Sequence, residues 1–176
     1  REVPPTEKNI ETSKKGQYRI KDNFLAFWFR FVYPMRSFIE SDHPEIAMTK
    51  LKTGFIPNHV GYVYEDICRQ KMWELNAQGK LPFLFDRVGR WWGGKDTEID
   101  IVAIDTTDRS KIIFGECKFH QNVPMQLSEL HQLKEKAAVV PWGNANRDEY
   151  FALFCISGYS EDLQQLAQED SHLLLM

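Results

Sequence analysis

Glu116 and Lys118 stand two positions apart in the run Gly115-Glu116-Cys117-Lys118-Phe119. Alternate residues of a strand share a face, so the carboxylate and the ammonium would project together, roughly 6–7 Å apart along the chain. Both sit at the end of an apolar run, Ile112 to Phe114, where charges are costly to bury unless they pair or bind something. Of the 25 acidic residues, only Glu116 has a lysine two positions on. Upstream, Glu98-Ile99-Asp100-Ile101-Val102-Ala103 puts Asp100 at the head of a second apolar strand. If the two strands are neighbours, Asp100 and Glu116 lie side by side. Adjacent carboxylates repel, and a divalent cation is the usual means of holding both ionised. Mg²⁺ or Mn²⁺ suits oxygen donors of this kind, and Mg²⁺ keeps several waters and accepts phosphate oxygens. Lys118 could then orient an attacking water or offset charge developing on phosphorus, and Glu65, on a helix before the sheet, could supply a third carboxylate.

The elements that must position these groups follow from periodicity. Asp22 is placed to cap a helix from Asn23 to Tyr33, with Pro34 as its stop; the aromatic row Phe24, Phe27, Trp28, Phe31 and Tyr33 is read as its core-facing stripe. Tyr18 to Ile20 is expected to close a hairpin, and Ser37 to Asn58 to be a connector. A helix over 60–76 follows, then strands over 81–85, 99–104 and 112–119, a helix over 125–139, a strand over 150–156 and a helix over 161–168. The continuous apolar runs at 112–114 and 151–156 predict strands covered on both faces.

Composition bounds the class. The 176 residues are 43% apolar and 27% charged with net charge −3, which excludes wholesale disorder and a generally basic DNA-coating surface, though not a local basic groove. Residues 1–36 hold eight basic and four acidic side chains, and residues 145–176 one and six. Cys68, Cys117 and Cys155 are read as buried free thiols of a cytoplasmic protein. The longest apolar stretch, 23–32, contains Arg30 and is too short to span a membrane. Arg1 rather than Met at the start is read as the mark of a piece of a longer protein.

Gly89-Arg90-Trp91-Trp92-Gly93-Gly94-Lys95 meets the first seven positions of a phosphate-binding P-loop, but the eighth is Asp96, which would repel phosphate. The segment also leads into a strand rather than a helix. It is read as a glycine turn between strands, with Trp91 and Trp92 close to the site. The five histidines show no paired metal spacing.

Helical Glu65, then Asp100, then Glu116-x-Lys118 after fifteen residues resembles the PD-(D/E)XK nuclease superfamily, the restriction-endonuclease-like fold. More closely, the chain resembles the C-terminal nuclease-like domain, of unknown function, of archaeal-type P-loop ATPases. That likeness rests on Tyr18 to Leu25 with Phe27 to Arg30, on Gly61 to Cys68, and on Glu98 to Ala103 leading to Gly115 to Lys118. It implies an α/β core of helix, three strands, helix and strand with a short helical N-terminal extension. Residues 1–36 would be the tail of a winged-helix-like linker, 37–57 a connector and 58–176 the nuclease-like domain, with the ATPase upstream. It further implies Asp100 and Glu116 as ligands of Mg²⁺ or Mn²⁺, Lys118 as the catalytic lysine and Glu65 as the helical acid. The expected activity is cleavage of DNA, with Arg87, Arg90, Lys95 and Lys136 contacting phosphates. The competing reading is an inactive nuclease fold that docks DNA or protein and regulates the ATPase.

Overall fold

The computed structural model describes residues 1–94, 97–144 and 146–176. It is a mixed α/β structure around a five-stranded sheet of order β1-β2-β3-β4-β5. The strands are β1 (Arg87–Gly93), β2 (Thr97–Ile104), β3 (Lys111–Lys118), β4 (Asp148–Cys155) and β5 (Leu173–Leu175). The first three form an antiparallel meander; β4 and β5 add in parallel. Helix α4 (Gly61–Ala77) covers one face, where Cys68 and Met72 meet Ile101, Ala103, Ile113 and Phe154. Helices α5 (Leu127–Ala138) and α6 (Glu161–Glu169) cover the other, placing Leu130, Leu133 and Leu163 against Val102, Ile104, Phe114 and Leu153. The central strand β3 is buried from Ile112 to Cys117, and its apolar run, Ile112 to Phe114, is covered on both faces.

Local chemistry explains where the elements start and stop. A capping box opens α5: Gln126 accepts from the first turn, and Glu129 reaches back to the Gln126 amide at 3.0 Å. At its other end, Arg147 donates to the carbonyls of Val140 and Trp142, both at 2.6 Å, and of Ala137 at 3.0 Å. The Ala137 bond holds the last turn of α5, and the other two pin the segment that follows it. All three cysteines are buried and free.

Several expectations are corrected. Residues 81–85 are not a strand. Pro82 offers no amide, and buried Asn76 takes both the Phe85 carbonyl and the Phe85 N–H at 3.0 Å, so those groups never enter a ladder. The first strand starts instead at Arg87, so Gly89 to Gly93 lies within a strand and the turn falls on Gly94, at φ +62°. Trp91 is core, 3% exposed, with its indole N–H donating to Thr6. Tyr18 to Ile20 forms no strand. Pairing there is limited to a bridge between Glu2 and Gln17, and Arg19 ties the segment to α4 through Asp66.

The N-terminal helices differ most from expectation. Asp22 does cap α1 (Asn23–Phe27) through the Leu25 amide. Pro34 does not end the helical path, which passes through a π turn (Trp28–Val32) and a 3₁₀ turn (Tyr33–Met35) into α2 (Arg36–Glu40). Proline is tolerated there because the first turn of a new segment needs no N–H from it. The segment read as a connector is helical too: α3 (Pro44–Phe55) and a π turn (Ile56–Val60) run directly into α4. The aromatic row divides. Phe27 and Phe31 pack on Phe55 and His59, whereas Phe24, Trp28, Phe29 and Tyr33 are exposed.

Candidate active site

The site forms where the C-terminal end of β3 meets the start of β2, with α4 and α5 on either side. Gly115 sets the approach: a Cβ there would stand 2.9 Å from the Ile101 Cβ and 3.2 Å from the Ala152 carbonyl. Continuing the register from the Ile101–Gly115 pair puts Asp100 opposite Glu116. A bulge aims Asp100 into the site. Pairing with β1 advances from Gly89–Val102 to Trp91–Ile99, two residues on β1 for three on β2, so β2 carries the extra residue. Bulges of this kind re-aim a side chain. The freed Asp100 carboxylate accepts the Cys117 amide at 2.8 Å, and its backbone carbonyl accepts from Arg69.

Glu116 is 5% exposed and lies between two ammonium groups, Lys118 at 2.7 Å and Lys136 of α5 at 3.1 Å. Burial works against the charge of Lys118, but the carboxylate of Glu116 holds its pKa above the usual lysine value. Asp100 moves the other way. Burial, then the charge of Glu116, raises it to about 6, against the pull of the Cys117 amide and the two lysines.

Glu65 projects from α4 toward the same region. Burial and the charge of Asp100 raise it to about 7, although Arg90 and Arg69 each approach it to 3.7 Å. Its Oε2 is buried without a hydrogen-bond partner. Arg90, on β1, also pairs with Glu98 at 2.8 Å, and Arg69 with Asp66.

The structure therefore gathers Glu65, Asp100, Glu116, Lys118, Lys136 and Arg90 into one region. Arg87 is elsewhere, with its guanidinium donating to the carbonyls of Pro5 and Glu7. Lys95 lies outside the described residues. Arg69 was missed by the sequence reading, although its spacing of four from Glu65 on a helix is the signal for such a pair. Among the described residues, no three His, Cys, Asp or Glu side chains converge as a ready-made metal site. The carboxylates of Asp100 and Glu116 are oxygen donors of the kind that Mg²⁺ or Mn²⁺ takes, and a cation there would displace Lys118 and Lys136 from the Glu116 oxygens.

No helix among the described residues is long and apolar enough to cross a membrane. No solved structure matches the chain. It is 35% identical over 154 residues to the uncharacterized protein MJECL04 of Methanocaldococcus jannaschii, a match covering 87% of this chain and 33% of that protein. The chain thus spans about a third of that relative's length. Residues 28–137, from the exposed aromatics to the end of α5, match the family DUF234, described as archaea bacterial proteins of unknown function. On that match, which takes in Glu65, Asp100, Glu116, Lys118 and Lys136, the chain belongs to the DUF234 family.

Proposed function

We propose that this chain is a metal-dependent DNA nuclease domain of the PD-(D/E)XK type, working within a larger P-loop ATPase. One observation carries the reading: Glu116 and Lys118 at the end of the central strand, facing Asp100 across the β2–β3 pair, with Glu65 on the helix that packs beneath. The order α4, β1–β2–β3, α5, β4, with β4 parallel to β3, supports the restriction-endonuclease-like core. In open α/β sheets, ligands favour the crevice at the carboxyl ends of strands, where this cluster lies.

In this reading Asp100 and Glu116 hold Mg²⁺ or Mn²⁺. A cation held there would lower the pKa of a bound water and offset charge on the phosphate. Lys118, kept protonated by Glu116, donates to the attacking water or to a phosphate oxygen. Lys136 and Arg90 flank the acids and contact neighbouring phosphates. Glu65, near neutrality in its pKa, can hold or release a proton at working pH.

A second reading has an observation of its own. The Glu116 carboxylate is already matched by two lysines, which suits a static ion cluster in a non-catalytic module that docks DNA or protein and regulates the ATPase. Cleavage assays separate the two. Supercoiled, linear, single-stranded and branched DNA are incubated with the chain in Mg²⁺ and in Mn²⁺. The nuclease reading expects cleavage of at least one form and its loss in Lys118→Ala. Binding without cleavage of any form gives the docking reading instead.

A further inference from the structure

A cavity of about 430 Å³ opens between the N-terminal helices, the first turns of α4 and strand β1. This is within the roughly 300–1,000 Å³ typical of small-ligand sites. Three guanidinium groups line it, those of Arg19, Arg30 and Arg90, together with the rings of Phe29 and Tyr62. Arg90 and Arg30 both approach the Tyr62 ring, at 5.3 and 5.8 Å from its centre. Arg30 donates to the Asn58 carbonyl at 2.8 Å and, among the described residues, makes no ion pair. Among the described residues of the lining, Asp66 alone bears a carboxylate, and it is matched by Arg19 and Arg69. Arg19 is also held by Glu2, and Arg90 by Glu98 and Glu65, so among the described residues Arg30 is the guanidinium of the lining without a carboxylate partner, beside the aromatic faces of Phe29 and Tyr62. Arg90 belongs to both places: it lines the cavity and reaches Glu65 at 3.7 Å.

We propose that this cavity takes one unpaired nucleotide of a single DNA strand, its phosphate on Arg30 and Arg90 and its base against Phe29. The inference rests on the nuclease reading for its substrate and adds the strand form. Guanidinium groups beside exposed aromatic faces are how proteins seize single strands: the charge follows the backbone, and the ring accepts any base. A cavity this small admits one nucleotide, whereas a stacked and paired base pair has no face to offer Phe29. Phe29 is 52% exposed at the rim, so its ring is open to a base. The neighbouring acids explain the position: a nucleotide held here lies one side chain, Arg90, away from Glu65.

The test is equilibrium binding of a fluorescent twelve-residue oligothymidylate and of a duplex of equal length, in EDTA so that no cleavage intervenes. The single strand is expected to bind more tightly. Arg30→Ala should weaken it roughly tenfold and lower the salt slope by about 0.7–1. Phe29→Ala, an exposed position where folding is not at stake, should weaken it by roughly five- to a hundredfold. Thymidine monophosphate should compete poorly. Equal affinity for strand and duplex, or unchanged single-strand affinity in Phe29→Ala and a folded Arg30→Ala, overturns the proposal. So does a mononucleotide that binds as tightly as the strand. Its failure is distinguishable from that of the nuclease reading. Cleavage by a protein whose strand binding ignores both substitutions rejects the cavity alone, and Arg30-dependent strand binding without cleavage under Mn²⁺ rejects the nuclease alone.

Discussion

Replacing Glu65 by glutamine should make the protein more stable at alkaline pH, because this carboxyl is driven toward neutrality by its surroundings. Its side chain is 14% exposed, and burial together with the charge of Asp100 raises its pKa from 4.5 to about 7. The folded chain thus holds the proton more firmly than the unfolded chain. Stability from this group is fully present below about pH 4.5, falls as pH rises, and is gone above about pH 7. That difference in proton affinity between the folded and unfolded chains corresponds to about 3 kcal/mol. Glutamine keeps the shape and never ionises. Arg69 and Arg90 keep Asp66 and Glu98 as partners, so neither is stranded. Urea denaturation of wild type and Glu65→Gln, in EDTA at pH 5, 6, 7 and 8, measures the effect. The variant should exceed wild type by about 1 kcal/mol or less at pH 5 and by about 3 kcal/mol at pH 8. A difference that stays constant across the series would refute the argument, since a merely structural change carries no proton.

Asp100 is raised from 3.8 to about 6 for the same reasons, so Asp100→Asn should also gain relative stability on passing from pH 4 to pH 7, read from the same denaturation series. Mn²⁺ at a hundredfold excess over its dissociation constant should stabilise wild type by about 2.7 kcal/mol, and thermal unfolding of Asp100→Asn should show no such gain. Lys118→Ala should lower cleavage by about two to four orders of magnitude while DNA affinity falls by about one phosphate contact; equal losses in both would assign Lys118 to binding rather than to the chemical step. ATP should show no saturable binding in equilibrium dialysis, since Gly89 to Gly93 belongs to a strand and not to a loop opening a helix. Asn76→Ala should cost about 2–4 kcal/mol by chemical denaturation, because it strands a buried N–H and a buried carbonyl of Phe85.

The sheet was readable where burial dictates pattern. The apolar runs around Ile101, Ile113 and Leu153 name β2, β3 and β4, and the Glu116–Lys118 spacing places both groups on one face. The helices α4, α5 and α6 were legible by the same periodicity. Local rules failed where side chains substitute for backbone partners. Asn76 satisfies the Phe85 backbone, so the apolar segment 81–85 never becomes a strand. Strand β1, with its glycines and paired tryptophans, reads locally as a turn, and only pairing with β2 makes it a strand. The three-residue β5 is too short to show a period. The bulge that aims Asp100 left no mark in the sequence either, because it arises from a register mismatch between β1 and β2. The exposed aromatics of α1 and its π turn illustrate a further limit: periodicity identifies an apolar stripe but not whether anything covers it.

In the nuclease reading, Asp100 and Glu116 would together hold a divalent cation where Lys118 and Lys136 now balance the Glu116 carboxylate. Calorimetric titration of Mn²⁺ into the wild-type chain, Asp100→Asn and Glu116→Gln at pH 7.5 tests it most directly. Wild type should bind saturably and each folded variant should not, since each removes one of the two carboxylates. No saturable binding to wild type at millimolar Mn²⁺, or binding that survives both substitutions, would contradict it.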